Sequence, residues 1–284
     1  MIKVRSPLKW IGGKHHSISR ILAAFPPPHV YTTYLEPCGG AAHVFLAKPQ
    51  YGHREIYNDL NDDLWNFWDQ IQNNADELVT QLRALPYSRR LYYACYERLF
   101  DGSEMKPVER AVMWFYVLRS SGTGWLRESA PIGWNNTESN ALAFRSALDL
   151  FKPVQDRLLH PRAILDNRDV ERVIEEYDSS KTLIYCDPPY RGAEYYYQVG
   201  LRKYEKKTFD HERLATLLNA AQSYVALSYY PYDELKDWYP PDRWRRISWT
   251  QHKPSSLDPS GEATELLLMN YPERFGGLFD GIPS

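Results

Sequence analysis

The sequence predicts an α/β protein whose core is interrupted by a helical insert. Short β-rich runs alternate with amphipathic helical stretches, acidic residues follow four of these runs, and one long segment carries only the helical period. A chain of 284 residues is sufficient for one large domain or for a core with an inserted lobe. We expect the core over residues 1–61 and 154–284 and the insert over residues 62–153.

The first elements follow from apolar spacing and from proline positions. Apolar side chains recur with the helical period over residues 17–25, and the prolines at 26–28 end this helix. Two β-rich runs then predict strands at residues 30–35 and 54–58.

The rest of the chain predicts helices, a loop and then further strands. Residues 62–120 carry apolar side chains on helical faces, whereas Gly, Ser, Asn and Thr dominate residues 122–140, as is typical of a loop or hairpin. Strands are expected again at residues 163–166, 183–186, 224–230 and 265–269, and a helix at residues 214–221.

Composition restricts the function classes. Apolar residues at 43% and charged residues at 25% are ordinary for a globular chain, and a net charge of −2 is not that of a uniformly basic nucleic-acid binder. Basic residues do cluster within residues 83–127, 202–207 and 243–246. These clusters are either solvated faces or strips that contact phosphates.

Cysteine usage and the N-terminus exclude further classes. Cys38, Cys95 and Cys186 are widely spaced, which argues against a disulfide framework and against a zinc site, so we expect no metal. The first residues lack the apolar core of a signal peptide, and no run is long enough to cross a membrane. We therefore expect a cytoplasmic protein without a membrane partner, and a monomer is favoured.

The most informative segment is a double-proline exit from a predicted buried strand. Each proline fixes its own φ and lacks an amide hydrogen, so neither a strand nor a helix continues through the pair. In open α/β sheets, ligands bind at this edge. At such an edge, a carboxylate and a proline carbonyl can accept hydrogen bonds from the amino group of a planar base, while an aromatic ring stacks on the base. The alternative is a simple strand exit with a capping Asp. The four residues are Asp187, Pro188, Pro189 and Tyr190.

A second pattern places small residues after a predicted strand. Glu36 precedes the segment 37–42, whose two glycines and two alanines let a ligand approach the backbone closely. Asp59 ends the next strand about 20 residues later, the spacing at which a carboxylate binds ribose hydroxyls. Turn glycines with helix-capping acids are the alternative interpretation.

Four motifs follow one another along the chain and carry a family resemblance. They are Leu8-Lys9-Trp10-Ile11-Gly12-Gly13-Lys14, Tyr34-Leu35-Glu36-Pro37-Cys38-Gly39-Gly40, Tyr57-Asn58-Asp59-Leu60-Asn61 and Asp187-Pro188-Pro189-Tyr190. In this order they resemble the motifs of the Dam-type (class α) DNA adenine-N6 methyltransferases. The resemblance covers nearly the whole chain, including the insert.

The resemblance implies a Rossmann-like sheet that binds S-adenosylmethionine. Lys14 would lie beside the cofactor carboxylate, Asp59 would bind the ribose hydroxyls, and Asp169 would lie near the cofactor adenine. Trp10 would pack near the cofactor, and Glu36 would head the glycine turn beneath it. The implied cofactor set also includes Cys38, Gly40 and Asp187.

The resemblance also implies how DNA is engaged. The Asp187–Tyr190 segment would hold an adenine flipped out of double-stranded DNA, and the insert would recognise the target sequence. Gly122 and Thr123 stand where the family has an aromatic residue and an Asn, so we expect selectivity other than, or looser than, strict GATC. Arg127 of the insert would read a guanine or contact a phosphate. The residues expected at the DNA are Arg119, Thr123, Trp125 and Arg127.

Three alternatives stay open at this point. The same pocket logic serves N4 methylation of cytosine. A catalytically silent DNA- or cofactor-binding relative is a second alternative, because Cys38 stands where the family usually has Phe and Ala42 where it commonly has Gly. A nucleotide-binding enzyme of another chemistry is the third. Besides DNA, a cognate restriction endonuclease is a candidate partner.

Overall fold

The computed structural model describes residues 4–122, 124, 126, 132–133, 140–194, 209–252, 262–273 and 275. These residues form ten α-helices and seven β-strands. The helices are α1 Ile18–Ala24, α2 His43–Ala47, α3 Asp62–Ala84, α4 Arg89–Phe100, α5 Pro107–Ser120, α6 Asn140–Leu148, α7 Phe151–Leu158, α8 Val170–Tyr177, α9 His211–Ala220 and α10 Leu235–Trp238. The strands are β1 Thr33–Glu36, β2 Arg54–Asn58, β3 Ala163–Asp166, β4 Thr182–Cys186, β5 Tyr224–Tyr229, β6 Arg245–His252 and β7 Glu262–Met269.

The seven described strands form one mostly parallel sheet. Its order is β3-β2-β1-β4-β5-β7-β6, and only β7 runs opposite to the other six, so it pairs antiparallel with β5 on one side and with β6 on the other. The chain leaves β1 toward β2 on one side and returns to β4 on the other, so the strand order reverses between β1 and β4. A crevice at the carboxyl ends of such strands is the usual ligand site of an open α/β sheet. The expectation of a Rossmann-like α/β sheet is confirmed.

Helices cover both faces of the sheet, and successive side chains of each strand point to opposite faces. Tyr34 and Leu183 belong to a core cluster with residues of α1 to α7. Leu35 and Ile184, one position further along the same strands, belong to the cluster that packs on α8, α9 and α10. This alternation follows from the two-residue period of a β-strand.

The helical insert packs directly on the sheet. The five helices α3 to α7 lie between β2 and β3 in the chain. The side chain of Asn61 begins α3 by accepting hydrogen bonds from the backbone N–H groups of Asp63 and Leu64. Trp68 of α3 then shares the core cluster of Tyr57 in β2. The limit expected between residues 153 and 154 lies inside α7.

A buried ion triad also joins the insert to the sheet. Glu55 of β2 accepts from Lys48 Nζ at 2.8 Å and lies 2.8 Å from Arg157 Nη2 of α7. The exposed fractions of the three side chains are 1%, 1% and 4%. Arg157 also donates to the carbonyl of Phe45 at 2.9 Å. One carboxylate therefore compensates two buried cations, which makes it costly to remove.

The structure differs from two local expectations. The strand expected over residues 30–35 begins only at Thr33, because Pro28–Val30 forms a 3-10 turn. Strand β6 was not expected, because its first residues resembled a basic surface cluster. One of these, Arg246, donates to the carbonyl of Tyr239 at 2.6 Å. No described helix is long and apolar enough to cross a membrane.

Candidate active site

A cavity of about 940 Å³ opens at the carboxyl ends of the parallel strands. It is lined by the N-terminal motif at residues 10–14, the turn after β1 at residues 36–41, and residues 59–61 after β2. Asp187 and Pro189 line it as well, after β4. All four sequence motifs, although distant along the chain, thus meet at one cavity.

The glycine turn after β1 is held by Asp59. One carboxylate oxygen accepts from the Gly40 N–H at 2.8 Å, and the other accepts from the Asn61 N–H at 2.9 Å. Gly40 has φ +48°, and a Cβ there would lie 3.1 Å from Trp10 Nε1. The turn therefore lies flush against the indole of Trp10 and requires glycine. Burial raises the pKa of Asp59, while the two N–H donors oppose that shift.

Asn58 fixes the neighbouring strand exits, and sequence reasoning did not identify it as functional. Its amide donates to the carbonyls of Pro37 at 2.8 Å and Arg168 at 3.0 Å, and accepts from the Arg168 N–H at 2.9 Å. Asp169 follows, capping α8 through the Glu171 N–H at 2.9 Å while lining the cavity. An Asn as the last residue of a predicted strand, directly before the motif acid Asp59, is the sequence signal that could have revealed Asn58.

Glu36 is a buried acid beneath the turn. It is 2% exposed and accepts a hydrogen bond from the hydroxyl of Tyr34. Burial raises the pKa of Glu36 to about 8, and the charge of Asp187 acts in the same direction. In this structure the Glu36 carboxyl is therefore mostly protonated at neutral pH.

The two positions that depart from the family pattern lie in this turn. Cys38 lines the cavity, and a hydrogen bond with the thiol of Cys186, together with burial, holds its pKa well above the usual value. The thiol is therefore not ionised at neutral pH. Ala42 has φ +55° and ψ +27°, a left-handed conformation that costs a non-glycine residue about 1–2 kcal/mol. The backbone thus keeps the shape that glycine favours.

Lys14 pairs with Asp187 at the mouth of the β4 exit. Its ammonium lies 2.8 Å from Oδ1 of Asp187 and donates to the carbonyl of Gly12 at 3.0 Å. Lys14 is 4% exposed, whereas 20% of the Asp187 side chain is exposed. The structure therefore brings two expected site residues into one ion pair, with the carboxylate partly open to the cavity.

Tyr190 lies deeper than a residue on the cavity wall. It is 7% exposed, and its hydroxyl donates to Oε2 of Glu265 at 2.9 Å. The ring stacks on Tyr229 with centroids 5.6 Å apart and meets Tyr230 edge-on at 4.3 Å. The ammonium of Lys14 lies 4.8 Å from its centroid. The ring is therefore held on several sides. The sequence predicted that Glu265 lies in a strand but did not indicate its contact with Tyr190.

The expected DNA-contacting residues are described only in part. Arg119 ends α5 half-buried and donates to the carbonyl of Ala143 in α6 at 3.3 Å, and burial lowers its pKa. It therefore braces two helices of the insert. The other three expected positions, Thr123, Trp125 and Arg127, lie outside the described residues.

Lys9 connects the insert to the N-terminal motif. Its ammonium donates to the carbonyl of Ser121 at 3.0 Å and to that of Gly122 at 2.6 Å. Gly124, with φ +71°, lies so close that a Cβ there would be 2.7 Å from the Lys9 carbonyl oxygen. The start of the expected recognition hairpin therefore contacts the segment that lines the cavity.

Comparison with known proteins identifies the family. The profile of D12 class N6 adenine-specific DNA methyltransferases matches residues 10–252. The chain belongs to this family. It is 25% identical to a Type II methyltransferase of Lactococcus lactis subsp. cremoris over 95% of this chain and 96% of the relative. It is also similar to the DNA adenine methylases of Haemophilus influenzae (28% identity, 66% and 65% of the chains) and Escherichia coli K12 (27%, 79% and 78%).

Family membership confirms the expected activity. The chain is an adenine-specific DNA methyltransferase, and the reaction is methylation of the N6 amino group of adenine in DNA. Methyltransferases of this kind use S-adenosylmethionine as the methyl donor. The expectation drawn from four ordered motifs is therefore confirmed at the level of family and reaction.

Proposed function

We propose that this methyltransferase binds S-adenosylmethionine in the 940 Å³ cavity and methylates an adenine flipped out of double-stranded DNA. The observation that carries the proposal is the convergence of all four motifs on this cavity. The glycine turn, the Asp59 carboxylate and Asp187 all reach it, although they come from three different strand ends.

The cavity residues fit the cofactor. The glycine turn offers backbone that a ligand can approach closely, since Gly39 and Gly40 line the cavity and carry no side chain. Asp59 beside this turn is a suitable acceptor for ribose hydroxyls, and Asp169, which also lines the cavity, would serve the cofactor adenine. The aromatic face of Trp10 borders the turn. When bound there, the cofactor supplies an electrophilic methyl group on its sulfonium.

The β4 exit fits the target base. The lone pair of the adenine amino group is delocalised into the ring, which makes that nitrogen a poor nucleophile. Hydrogen bonds from its two hydrogens to the Asp187 carboxylate and the Pro188 carbonyl favour the pyramidal nitrogen that can attack. Fixed acceptors of this kind stabilise developing positive charge, and alignment within one cavity supplies proximity. Extracting the base from the duplex costs about a few kcal/mol, which pocket contacts offset.

The helical insert is proposed to choose the DNA sequence. Lys9 ties Ser121 and Gly122 of the insert to the N-terminal motif that lines the cavity, so the start of the recognition segment would lie near the flipped base. Because Gly122 and Thr123 replace an aromatic residue and an Asn of the family pattern, we propose a target other than, or looser than, GATC. The likeness to a Type II methyltransferase supports a cognate restriction endonuclease as partner. Methylome sequencing of cells that express the chain would contradict this target proposal if methylation is confined to GATC.

The decisive experiment uses the purified chain, S-adenosylmethionine with a deuterated methyl group, and mixed-sequence duplex DNA. Mass spectrometry of the digested nucleosides should show deuterated N6-methyladenine. Asp187→Ala should abolish it, whereas Asp149→Ala, at an acid whose side chain is 70% exposed, should not. N4-methylcytosine alone would support the cytosine alternative. Cofactor binding without any methylated base would support a silent relative.

A further inference from the structure

Glu265 is a buried carboxylate that the sequence motifs do not explain. It lies in β7, between β5 and β6, and is 0% exposed. Its strand neighbours Leu267, Leu268 and Met269 are apolar and equally buried. A carboxylate in such a position is costly unless it is hydrogen-bonded and lies near a cation.

The carboxylate of Glu265 belongs to the same cluster as the active-site residues. It accepts from the Tyr190 hydroxyl at 2.9 Å, and the ammonium of Lys14 lies 4.8 Å from the centre of that ring. The same charges act on the neighbouring Tyr230, whose pKa is raised to about 12, chiefly by burial; the charges of Glu265 and Asp187 contribute to this rise and Lys14 opposes it. Glu265, Tyr190, Lys14 and Tyr230 therefore lie close together at the exit of β4.

Tyr190 is fixed at both ends. Two prolines restrict the backbone that leads to it, and its hydroxyl, the one polar atom of a tyrosine side chain, is bound by Glu265. The stacked Tyr229 ring closes one face. Without the acceptor, the hydroxyl would be buried with no charged partner, and the hydrogen bond that sets the orientation of the ring would be lost.

We propose that Glu265 is a positioning residue for methyl transfer. Its hydrogen bond with Tyr190 sets the ring, and thereby the segment that carries the Asp187 acceptor, in the geometry that receives the target base. This inference rests on the proposed function. A preorganised acceptor needs no rearrangement when the base enters, so the benefit is in the chemical step and not in cofactor binding.

Three variants separate this role from a general contribution to stability. Tyr190→Phe removes the hydroxyl and keeps the ring, Glu265→Leu removes the acceptor at similar volume, and Glu265→Gln keeps an acceptor oxygen. Tyr271→Phe is the matched control, because it removes a buried hydroxyl that donates to the carbonyl of Ala24 at 3.0 Å, away from the cavity. Single-turnover methyl transfer, the Kd of the cofactor and the melting temperature are measured for each.

Tyr190→Phe and Glu265→Leu should each slow single-turnover transfer about ten- to hundredfold, the range for losing a hydrogen bond to a charged group. The double variant Tyr190→Phe/Glu265→Leu should be no slower than either single variant, because both lose the same hydrogen bond. The rate of Glu265→Gln should lie within about threefold of the wild-type rate, and the control Tyr271→Phe should have the wild-type rate. Cofactor Kd should stay within about threefold throughout. If Glu265→Leu does not fold, Tyr190→Phe against Glu265→Gln still tests the hydrogen bond.

Three results would overturn the inference: an unchanged rate in Tyr190→Phe, losses that multiply in the double variant, or an equal loss in Tyr271→Phe. Failure of the proposed function is distinguishable, because the wild-type chain itself would then form no N6-methyladenine. An active wild type with an unaffected Tyr190→Phe variant refutes only the role of Glu265.

Discussion

The glycine turn after β1 gives a sharp test of how backbone packing supports cofactor binding. In Gly39→Ala, the new Cβ would lie 2.5 Å from Cδ2 and 2.9 Å from Cζ of Tyr57, with Cε2 nearer still. These contacts are too short for carbon atoms, so either the ring or the turn must move. Gly39 itself has an ordinary φ, which means that the clash is steric and involves no backbone strain.

The Tyr57 ring cannot move cheaply. It is 1% exposed, donates to the Gly40 carbonyl at 2.6 Å and accepts from Trp68 Nε1 at 3.0 Å. Overpacking a core costs about 1–3 kcal/mol, and each disturbed hydrogen bond costs about 1 kcal/mol. We therefore expect Gly39→Ala to lose about 2–4 kcal/mol of unfolding free energy, a fall in Tm of about 4–8 °C for a chain of this size. If the turn moves instead, Gly40 leaves Asp59.

Calorimetric titration with S-adenosylmethionine and thermal unfolding decide the matter. The cofactor Kd of Gly39→Ala should rise at least about tenfold, since a 1.4 kcal/mol loss is enough for that. Gly52→Ala is the control: Gly52 has φ +78° and nothing within 4 Å of its Cβ position, so the variant should lose stability without losing cofactor affinity. A Gly39→Ala variant with wild-type Tm and Kd would refute the packing argument.

Three further predictions follow from charges in and around the site. Glu55→Gln leaves the buried cations of Lys48 and Arg157 without their carboxylate, so the free energy of unfolding, measured in urea, should fall by about 3–5 kcal/mol. The control Asp149→Asn, which breaks an exposed ion pair, should cost under about 1 kcal/mol. Similar losses in both variants would contradict the importance of the triad. The pKa of Glu36 is about 8, and a cationic cofactor favours the ionised carboxylate, so cofactor binding should release a proton at pH 7 and become tighter as the pH rises to about 8. Calorimetry in two buffers of different ionisation enthalpy measures the proton release. Glu36→Gln should abolish that release. Lys14→Ala should weaken cofactor binding, whereas Tyr190→Ala should chiefly slow transfer, because it removes the buried ring that packs on Tyr229 behind the β4 exit. Equal effects of the two variants on the cofactor Kd would disprove this division of roles.

Local chemistry alone was sufficient to predict several parts of the structure. The strand over residues 54–58 has the expected limits, because its β-rich run ends at an acid and a helix cap. The double proline after β4 ends that strand wherever it is placed, since proline lacks the amide hydrogen. The family also followed from order and spacing, which are properties of the sequence itself.

The partners of each side chain were decided by tertiary structure. The sequence showed Lys14 and Asp187 as separate motif residues, and only the folded chain brings them to 2.8 Å. Strand β6 was not predicted, and the strand predicted at residues 265–269 gave no indication that Glu265 contacts Tyr190, because antiparallel pairing at the side of a sheet depends on which strands meet there.

The burial of Tyr190 is a further feature that the sequence alone did not predict. From sequence it is an aromatic residue at a strand exit, free to stack on a base, whereas in the fold its hydroxyl reaches Glu265 and its ring packs on Tyr229. Propensity, proline geometry and motif spacing act over a few residues, so they determined the elements and the chemistry of this methyltransferase. Burial and charge pairing act between segments that only folding brings together, so they determined how its active-site residues are held.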